Sequence, residues 1–209
     1  MIKVILCDDH AVVRRGIRDT ITEAVDLRVV GEAGSYPELR DLMRNEACDV
    51  LVLDLNMPGR GGLEVLATLR DEGSTVKTLV VSMYPEDQYA IRCLRAGAQG
   101  YLNKAGEPAE MITAIRTLMQ GRKYVTPEVA QMLVDTLHSP ESEELHASLS
   151  ERELQTLQKI ASGKKLSEIA EELMLSPKTV SVYRARVLEK LHLANNAELT
   201  VYAIRNNLV

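Results

Sequence analysis

The chain has 209 residues, of which 45% are hydrophobic and 26% charged, the balance of a globular protein with room for one large domain or two ordinary ones. No apolar run approaches the roughly 20 residues needed to cross a bilayer, and no signal peptide precedes the first apolar run, so we expect a cytoplasmic protein without a membrane partner. The net charge of −5 is uneven, with −4 in residues 1–121 and +2 in residues 149–209. That asymmetry is weak support for an acidic module joined to one that binds nucleic acid.

The side-chain inventory excludes two further classes of site. The chain has no Phe and no Trp, so its cores must be aliphatic and its seven Tyr are the only aromatic residues. This counts against single-strand binders that stack bases on Phe or Trp. Three cysteines, Cys7, Cys48 and Cys93, are too few and too scattered for a disulfide framework or a zinc site. We interpret them as reduced packing residues.

Residues 1–121 alternate short apolar runs with amphipathic stretches, the pattern of a parallel sheet covered by helices. Strands are predicted at 2–7, 28–33, 50–54, 77–82 and 100–102. Helices are predicted at about 11–24, 36–45, 62–70, 86–96 and 107–120. These five units predict an α/β fold with a doubly wound five-stranded parallel sheet, in which ligands bind outside the carboxyl ends of the strands.

Residues 122–145 are predicted to be a linker that contains a short helix. Thr126-Pro127-Glu128 can begin this helix, which continues to Leu137. The run 138–144 is polar and acidic, as an exposed linker is.

Residues 146–209 are predicted to form a small all-α domain of four helices. The first begins at a capping box, Ser150 with Glu153, and the third begins at Ser176-Pro177, an N-cap followed by a first-turn proline. The four helices are placed at 150–161, 167–173, 176–191 and 196–206.

Side chains that suit phosphoryl transfer stand at the predicted strand ends: Asp8 and Asp9 after strand one, Asp54 after strand three, Ser82 after strand four and Lys104 after strand five. Carboxylates are the oxygen ligands that Mg²⁺ prefers, and the ion offsets both the repulsion among the acids and the charge of a phosphoryl group. Asp54 would be the nucleophile and would form an acyl phosphate. Lys104 can neutralise one phosphoryl oxygen, and the Ser82 hydroxyl can donate to another.

Each of these residues also has an ordinary structural interpretation. Two adjacent acids after a strand often cap a helix and occupy its first turn, a lone Lys is usually solvated, and a lone Ser usually serves a turn. Asp54 is harder to explain in this way, because an unpaired charge at the end of a buried strand is costly. His10 could be a further metal ligand, but we interpret it as the residue that opens the first helix.

Residues 1–121 resemble the receiver domain of two-component response regulators, a CheY-like fold. The matching residues are Asp8-Asp9, Asp54, Met57-Pro58-Gly59 with Gly62, Ser82 and Lys104. One residue departs from the pattern: Ala105 follows the lysine where many receivers carry Pro, so the geometry of that turn is open.

The receiver resemblance implies a set of roles. It implies that Asp54 takes a phosphoryl group from a histidine kinase. It implies Mg²⁺ held by Asp9, Asp54 and the Asn56 carbonyl, with Asp8 acting through water. It also implies a switch pair, Ser82 and Tyr101, whose rearrangement reports phosphorylation.

The second and third C-terminal helices are separated by a short turn, the helix-turn-helix arrangement. The third helix has a polar and basic outer face, and we place it in the major groove of DNA. The contacts we predict are Lys178, Thr179, Ser181, Val182, Tyr183, Arg184, Arg186 and Lys190. On charge alone, a helical bundle with a solvated basic face is an equal alternative, since Glu168, Glu171 and Glu172 on the preceding helix would repel a phosphate backbone.

The C-terminal sequence resembles the LuxR-type DNA-binding domain. The residues that carry this resemblance are 149–154, Glu168-Ile169-Ala170, 175–180 and Lys190-Leu191. Together the two regions resemble the NarL/FixJ class of response regulators and look most similar to its GacA/UvrY branch. Because a domain with so few basic residues should bind DNA weakly, we expect a dimer on adjacent half-sites, formed on phosphorylation. The resemblance implies Val201, Tyr202 and Arg205 of the last helix as its contact.

Two other classes of function remain open at this point. Aspartate-nucleophile phosphatases also use carboxylates and Mg²⁺ at strand ends, but they need an acid two residues after the nucleophile, where this chain has Asn56. We therefore expect a protein that is not an enzyme. A phosphorelay or protein-interaction module without sequence-specific DNA binding is the second alternative.

Overall fold

The structure, a computed structural model, describes residues 1–138, 145–206 and 208–209. The chain divides into two compact units, Met1–Ser139 and Pro140–Val209, here called the N-terminal and the C-terminal unit. Within the described residues, no helix has both the length and the apolar character that a bilayer span requires.

The N-terminal unit is built on a five-stranded sheet whose paired strands are all parallel, in the order β2-β1-β3-β4-β5. This confirms the predicted doubly wound sheet. The strands are β1 (Ile2–Cys7), β2 (Leu27–Ala33), β3 (Val50–Leu53), β4 (Lys77–Ser82) and β5 (Gly100–Asn103). The central strand β3 ends at Leu53, one residue earlier than predicted, so Asp54 is the first residue of the following loop.

Five helices follow the five strands, and alternation along the strands decides which of them share a core. Val4 and Leu6 of β1 pack in one apolar cluster with Ile17 and Ile21 of the first helix and Ile115 of the fifth, because side chains of a strand alternate between its two faces. The helices are α1 (Ala11–Thr22), α2 (Tyr36–Asn45), α3 (Gly62–Asp71), α4 (Glu86–Ala96) and α5 (Pro108–Met119).

The segment after α5 folds back onto the N-terminal unit. Tyr124 bridges the edge strand β5 at Gly100, and its amide donates to the Gln99 carbonyl at 2.9 Å. The next helix, α6 (Pro127–His138), contacts α4, and the Thr126 hydroxyl donates to the Glu86 carboxylate at 2.7 Å. The predicted short helix therefore exists and is packed. The exposed linker predicted at 138–144 lies, apart from its first residue, outside the described residues.

The C-terminal unit is helical, as predicted. It contains a short 3-10 helix (Leu145–Ser148) followed by α7 (Glu151–Ala161), α8 (Leu166–Glu172), α9 (Pro177–Lys190) and α10 (Asn196–Arg205). The capping box opens α7: Glu153 N–H donates to the Ser150 hydroxyl, and Ser150 N–H donates to the Glu153 carboxylate. The buried apolar side chains of these helices include Leu154, Leu157, Ile169, Ala170, Val180, Val187, Leu199 and Ala203.

Candidate functional site

The parallel register brings the predicted acids to one edge of the sheet. Cys7 pairs with Leu53, and the amide of Asp54 donates to the Cys7 carbonyl at 2.8 Å, so Asp8 and Asp54 leave neighbouring strands at the same level. On the other side of the edge, the Lys104 amide donates to the Ser82 carbonyl at 2.8 Å. Residues from four strand ends therefore reach one place.

Lys104 and two acids form a nearly buried ion cluster. The Lys104 Nζ lies 2.7 Å from Oδ2 of Asp8 and 2.9 Å from Oδ2 of Asp54. The exposed fractions of these side chains are 7%, 4% and 2%, so solvent screens the charges little. Asp9 is more open, at 25%.

Burial and ion pairing have opposite effects on the pKa values of Asp54 and Lys104. Burial raises the pKa of the Asp54 carboxyl, the Lys104 ammonium opposes that rise, and the charge of Asp8 adds to it. For Lys104, burial would lower the pKa, but the two carboxylates outweigh it and raise the pKa. Oδ1 of Asp54 is buried and accepts no hydrogen bond of good geometry from the described residues. A buried acceptor of this kind suits a cation or a phosphoryl group.

The donor set fits a hard divalent cation. Asp8, Asp9, His10 and Asp54 each offer one ligand atom, and these four atoms lie within 4.8 Å of one another. Carboxylate oxygens favour Mg²⁺. Asn56, whose carbonyl is the other predicted ligand, is an exposed residue of the loop after β3.

His10 is both the residue that opens α1 and a neighbour of the acidic cluster. His10 is the N-cap residue of α1, as predicted, and its backbone N–H donates to Oδ1 of Asp8 at 2.8 Å. Its Nδ1 also lies 2.7 Å from Oδ1 of Asp9. Asp8 thus shapes the start of the helix with one oxygen and meets Lys104 with the other.

The two predicted switch residues meet at the backbone of Tyr84. The Ser82 hydroxyl accepts from the Tyr84 amide at 3.3 Å, and the buried Tyr101 hydroxyl donates to the Tyr84 carbonyl at 2.8 Å. Burial raises the pKa of Tyr101, so the phenol keeps its proton for that bond. The Tyr84 ring stacks on Tyr89 of α4 at 4.5 Å between centroids.

The loop after β3 depends on a glycine. The amide of Gly62 donates to the Leu55 carbonyl at 2.9 Å. A Cβ at residue 62 would lie 2.6 Å from the carbonyl oxygen of Asp54 and 2.7 Å from Cα of Leu55. Only glycine permits this close approach of two backbones.

The predicted DNA-contacting residues of α9 divide into two groups. Lys178, Ser181, Val182 and Arg186 are exposed, whereas Thr179 and Tyr183 are half-buried. The Thr179 hydroxyl lies 2.8 Å from that of Ser176, at the N-cap. These positions are those of a helix with one face in the core and one open face.

Arg184 and Lys190 instead connect α9 to its neighbours. Arg184 Nε donates to Oδ1 of Asn196 in α10 at 2.6 Å. Lys190 Nζ donates to the Glu153 carboxylate at 2.7 Å and to the Ser148 carbonyl at 3.2 Å. The sequence did not signal these contacts, because Asn196 is 12 residues from Arg184, and Glu153 and Ser148 are 37 and 42 residues from Lys190.

The acids of α8 are partly compensated within the unit. Glu172 forms ion pairs with Lys159 and Lys164, and these two cations lower its pKa to about 2. Glu168 accepts a hydrogen bond from the Lys165 amide at 2.8 Å. The repulsion of a phosphate backbone by this helix is therefore smaller than the sequence suggested.

The predicted dimer contact lies on α10. Val201 and Arg205 are exposed, and so is Ile204, which is 59% exposed. Tyr202 is half-buried and its hydroxyl lies 3.1 Å from Nδ1 of His146. An open face with two aliphatic side chains is available beside the packed tyrosine.

Sequence reasoning missed a residue beside the acids. Arg14 of α1 donates through Nη1 to the backbone carbonyl of Asp8 at 2.6 Å. An arginine in an amphipathic helix is normally solvated, so no sequence signal marked it.

Comparison with known proteins agrees with both units. Residues 4–116 match the response regulator receiver domain family, and residues 147–203 match the family of bacterial regulatory proteins, luxR family. The chain is 41% identical to response regulator UvrY of Escherichia coli K12 over 209 residues, covering 100% of this chain and 96% of that protein. It is 39% identical to response regulator GacA of Pseudomonas aeruginosa over 210 residues, covering 100% and 98%.

A solved structure agrees in fold. RcsB from Salmonella enterica serovar Typhimurium, bound to promoter rprA in the presence of phosphomimetic BeF3⁻, is 26% identical with a TM-score of 0.63, covering 96% of this chain and 97% of that one. The two matched domains, in this order along the chain, confirm both resemblances identified in the sequence. The chain belongs to the NarL/FixJ family of two-component response regulators, DNA-binding transcriptional regulators with a receiver domain and a LuxR-type helix-turn-helix domain.

Proposed function

We propose that Asp54 is the phosphoacceptor and takes its phosphoryl group from a histidine kinase. The observation that carries this proposal is the Asp54 carboxylate itself, which is buried, has an oxygen, Oδ1, that accepts no hydrogen bond of good geometry from the described residues, and is paired with Lys104 at 2.9 Å. An Asp54 oxygen attacks phosphorus and the bond from phosphorus to the donor nitrogen breaks. The product is an acyl phosphate on Asp54.

Mg²⁺ is the proposed cofactor, held by Asp8, Asp9 and Asp54 and by the Asn56 carbonyl. When bound, it would offset the charge of the phosphoryl oxygens. Lys104 would then leave the Asp54 carboxylate to meet a phosphoryl oxygen, while staying near Asp8. Ser82 would donate its hydroxyl proton to another phosphoryl oxygen, and a movement of the side chain toward that oxygen would change the bond that the hydroxyl accepts from the Tyr84 amide.

The Ser82 movement would reach Tyr101 through Tyr84. Both switch residues bond to the Tyr84 backbone at 3.3 and 2.8 Å, so a shift of that backbone changes the site of the Tyr101 hydroxyl. We propose that this rearrangement reports phosphorylation to the surface of the N-terminal unit.

We propose that phosphorylation promotes a dimer and that the dimer binds promoter DNA in the cytoplasm. One C-terminal unit offers few free cations, since Arg184 and Lys190 are engaged within it, and affinity for DNA follows the number of phosphates neutralised. Two copies on adjacent half-sites gain affinity through effective concentration. Exposed Lys178, Ser181 and Arg186 would contact DNA, and the open face of α10 would meet its copy.

Two alternatives make different predictions. An aspartate-nucleophile phosphatase would turn over a small phosphate ester, but the position two residues after Asp54 is Asn56, which cannot supply the required acid. A protein-interaction module would show no salt-sensitive binding to duplex DNA.

The test treats the full chain with acetyl phosphate and MgCl₂ and measures intact mass, sedimentation and binding to selected duplexes. Wild type is expected to gain one phosphoryl group, dimerise and bind DNA more tightly. Asp54→Asn is expected to do none of these, whereas Asp71→Asn, an exposed acid of the same unit, behaves as wild type. Dimerisation and DNA binding by treated Asp54→Asn protein would overturn the proposal.

A further inference from the structure

We propose that Arg14 is a positioning residue for the Mg²⁺ site, acting through the backbone of Asp8. This inference rests on the proposed function, because it assigns a new residue to the same site. Its guanidinium donates through Nη1 to the Asp8 carbonyl at 2.6 Å, and its side chain is only 21% exposed.

The contact fixes the peptide unit that joins the two acids. Because a peptide is planar, a fixed Asp8 carbonyl also fixes the direction of the chain into Asp9. The other side of Asp8 is held by its amide, which donates to the Ala33 carbonyl at 3.0 Å. Asp8 can therefore point inward to Lys104 while Asp9 remains 25% exposed. Loss of the Arg14 side chain would remove the hydrogen bond that α1 donates to this peptide unit.

The guanidinium of Arg14 is also bound by Glu32 of the edge strand β2. Its Nε lies 3.2 Å from Oε2 of Glu32 in β2, and Arg18 binds the other oxygen of the same carboxylate at 3.2 Å. One side of the guanidinium thus faces the acid turn and another faces Glu32. The two donors are separate atoms of one rigid, planar guanidinium, a geometry that a lysine lacks.

A positioning role and a purely electrostatic role for Arg14 predict opposite effects on Mg²⁺ binding, so an experiment can separate them. If Arg14 acted only as a cation, its loss would strengthen the attraction of the acids for Mg²⁺, and lysine would replace it. If Arg14 positions the turn, lysine is expected to fail, because all its donors sit on one atom, whereas Nη1 and Nε of Arg14 bind the Asp8 carbonyl and Glu32 from two atoms of one rigid guanidinium. Losing a group that orients a metal ligand typically weakens metal binding about tenfold or more.

The test measures the Kd for Mg²⁺ of the unphosphorylated full chain by calorimetry, with folding checked in EDTA by circular dichroism. Arg14→Lys and Arg14→Met are expected to weaken binding about tenfold, and Glu32→Gln to weaken it less. The double variant Arg14→Lys with Glu32→Gln is expected to bind Mg²⁺ no more weakly than Arg14→Lys alone, because both changes remove the same contact between residues 14 and 32. The matched controls Arg15→Lys and Arg15→Met alter the next residue of α1, which is exposed, and should bind as wild type.

The outcomes separate this inference from the proposed function. Wild-type affinity in Arg14→Lys with tighter binding in Arg14→Met would overturn the positioning role and leave the Mg²⁺ site intact. Equal weakening in the Arg14 and Arg15 variants would also overturn it. If wild type and Asp54→Asn bound Mg²⁺ equally weakly, the proposed site itself would be wrong.

Discussion

The ammonium of Lys104 lies 2.9 Å from the carboxylate of Asp54. The side chain proposed to bind the phosphoryl group is therefore in contact with the proposed phosphoacceptor. Both side chains are nearly buried, with exposed fractions of 7% and 2%. The pair is therefore a stabilising contact that phosphorylation of Asp54 would have to break. Its two roles lead to separate predictions.

Lys104→Met should destabilise the N-terminal unit in the absence of Mg²⁺. The change leaves Asp8 and Asp54 buried without their cation, and breaking a buried pair from one side costs about 3 kcal/mol or more. Urea unfolding in EDTA measures the loss. Lys123→Met, which removes an exposed lysine of the same unit, serves as the control, and an equal loss there would refute the argument.

Mg²⁺ should stabilise wild type and should fail to stabilise Asp54→Asn. A ligand that binds only the folded state adds about 2.7 kcal/mol at a concentration a hundred times its Kd. Thermal unfolding of the full chain with increasing MgCl₂ is the measurement. Na⁺ at matched ionic strength controls for screening. A rise in Tm that survives in Asp54→Asn would place the ion elsewhere.

Two glycine-to-alanine changes should act in opposite directions. Gly62→Ala forces a Cβ against backbone at 2.6 and 2.7 Å, so we expect a loss of about 1–3 kcal/mol. Gly16→Ala lies inside α1, where a Cβ meets no atom within 4 Å, and should gain about 0.5–1 kcal/mol. Urea unfolding compares the variants, and Gly62→Ala should also weaken Mg²⁺ binding because its backbone lies against Asp54.

Lys178→Ala and Lys190→Ala should separate DNA contact from domain stability. Lys178 is exposed near the start of α9, and its loss should reduce the slope of log K against log salt by about 0.9 if it neutralises one phosphate. Lys190 binds Glu153 and Ser148, so its loss should raise hydrogen exchange in α7 and α9. The opposite assignment of the two effects would show that the intramolecular contacts of Lys190 do not persist in solution.

The C-terminal unit should lose stability at acid pH through Glu153. Burial would raise the pKa of this carboxyl, but the Lys190 ammonium and the Ser150 amide outweigh it and lower the pKa below its ordinary value of 4.5. A pKa lowered by folding stabilises the folded state above the unfolded pKa, and this contribution disappears as the pH falls through the folded pKa. The protection factors of the α7 amides, which correct for the intrinsic exchange rate at each pH, should therefore fall below about pH 4.5 in wild type. Glu153→Gln should show less of this acid dependence, and an identical pH profile in both would contradict the assignment.

The amino-acid sequence by itself determined the order of the elements and the edge of the sheet that carries the site. The alternation of apolar and polar residues has the period of strands and helices, and capping residues such as Ser150 mark where helices begin, so local chemistry was sufficient. Parallel strands bring their carboxyl ends to one edge, and for this reason the sequence alone predicts that Asp8, Asp54 and Lys104 lie together.

Only the tertiary structure decided which of the predicted residues are free to act. Lys178 and Lys190 are equally basic in the sequence, but one is open to solvent and the other is held by Glu153, which lies 37 residues earlier in the chain. Arg14 likewise appears as an ordinary helix-surface arginine until α1 packs beside the turn between Asp8 and Asp9. The physical reason is that a side-chain contact depends on distances between elements far apart in sequence, which the period and the caps of a single element do not contain.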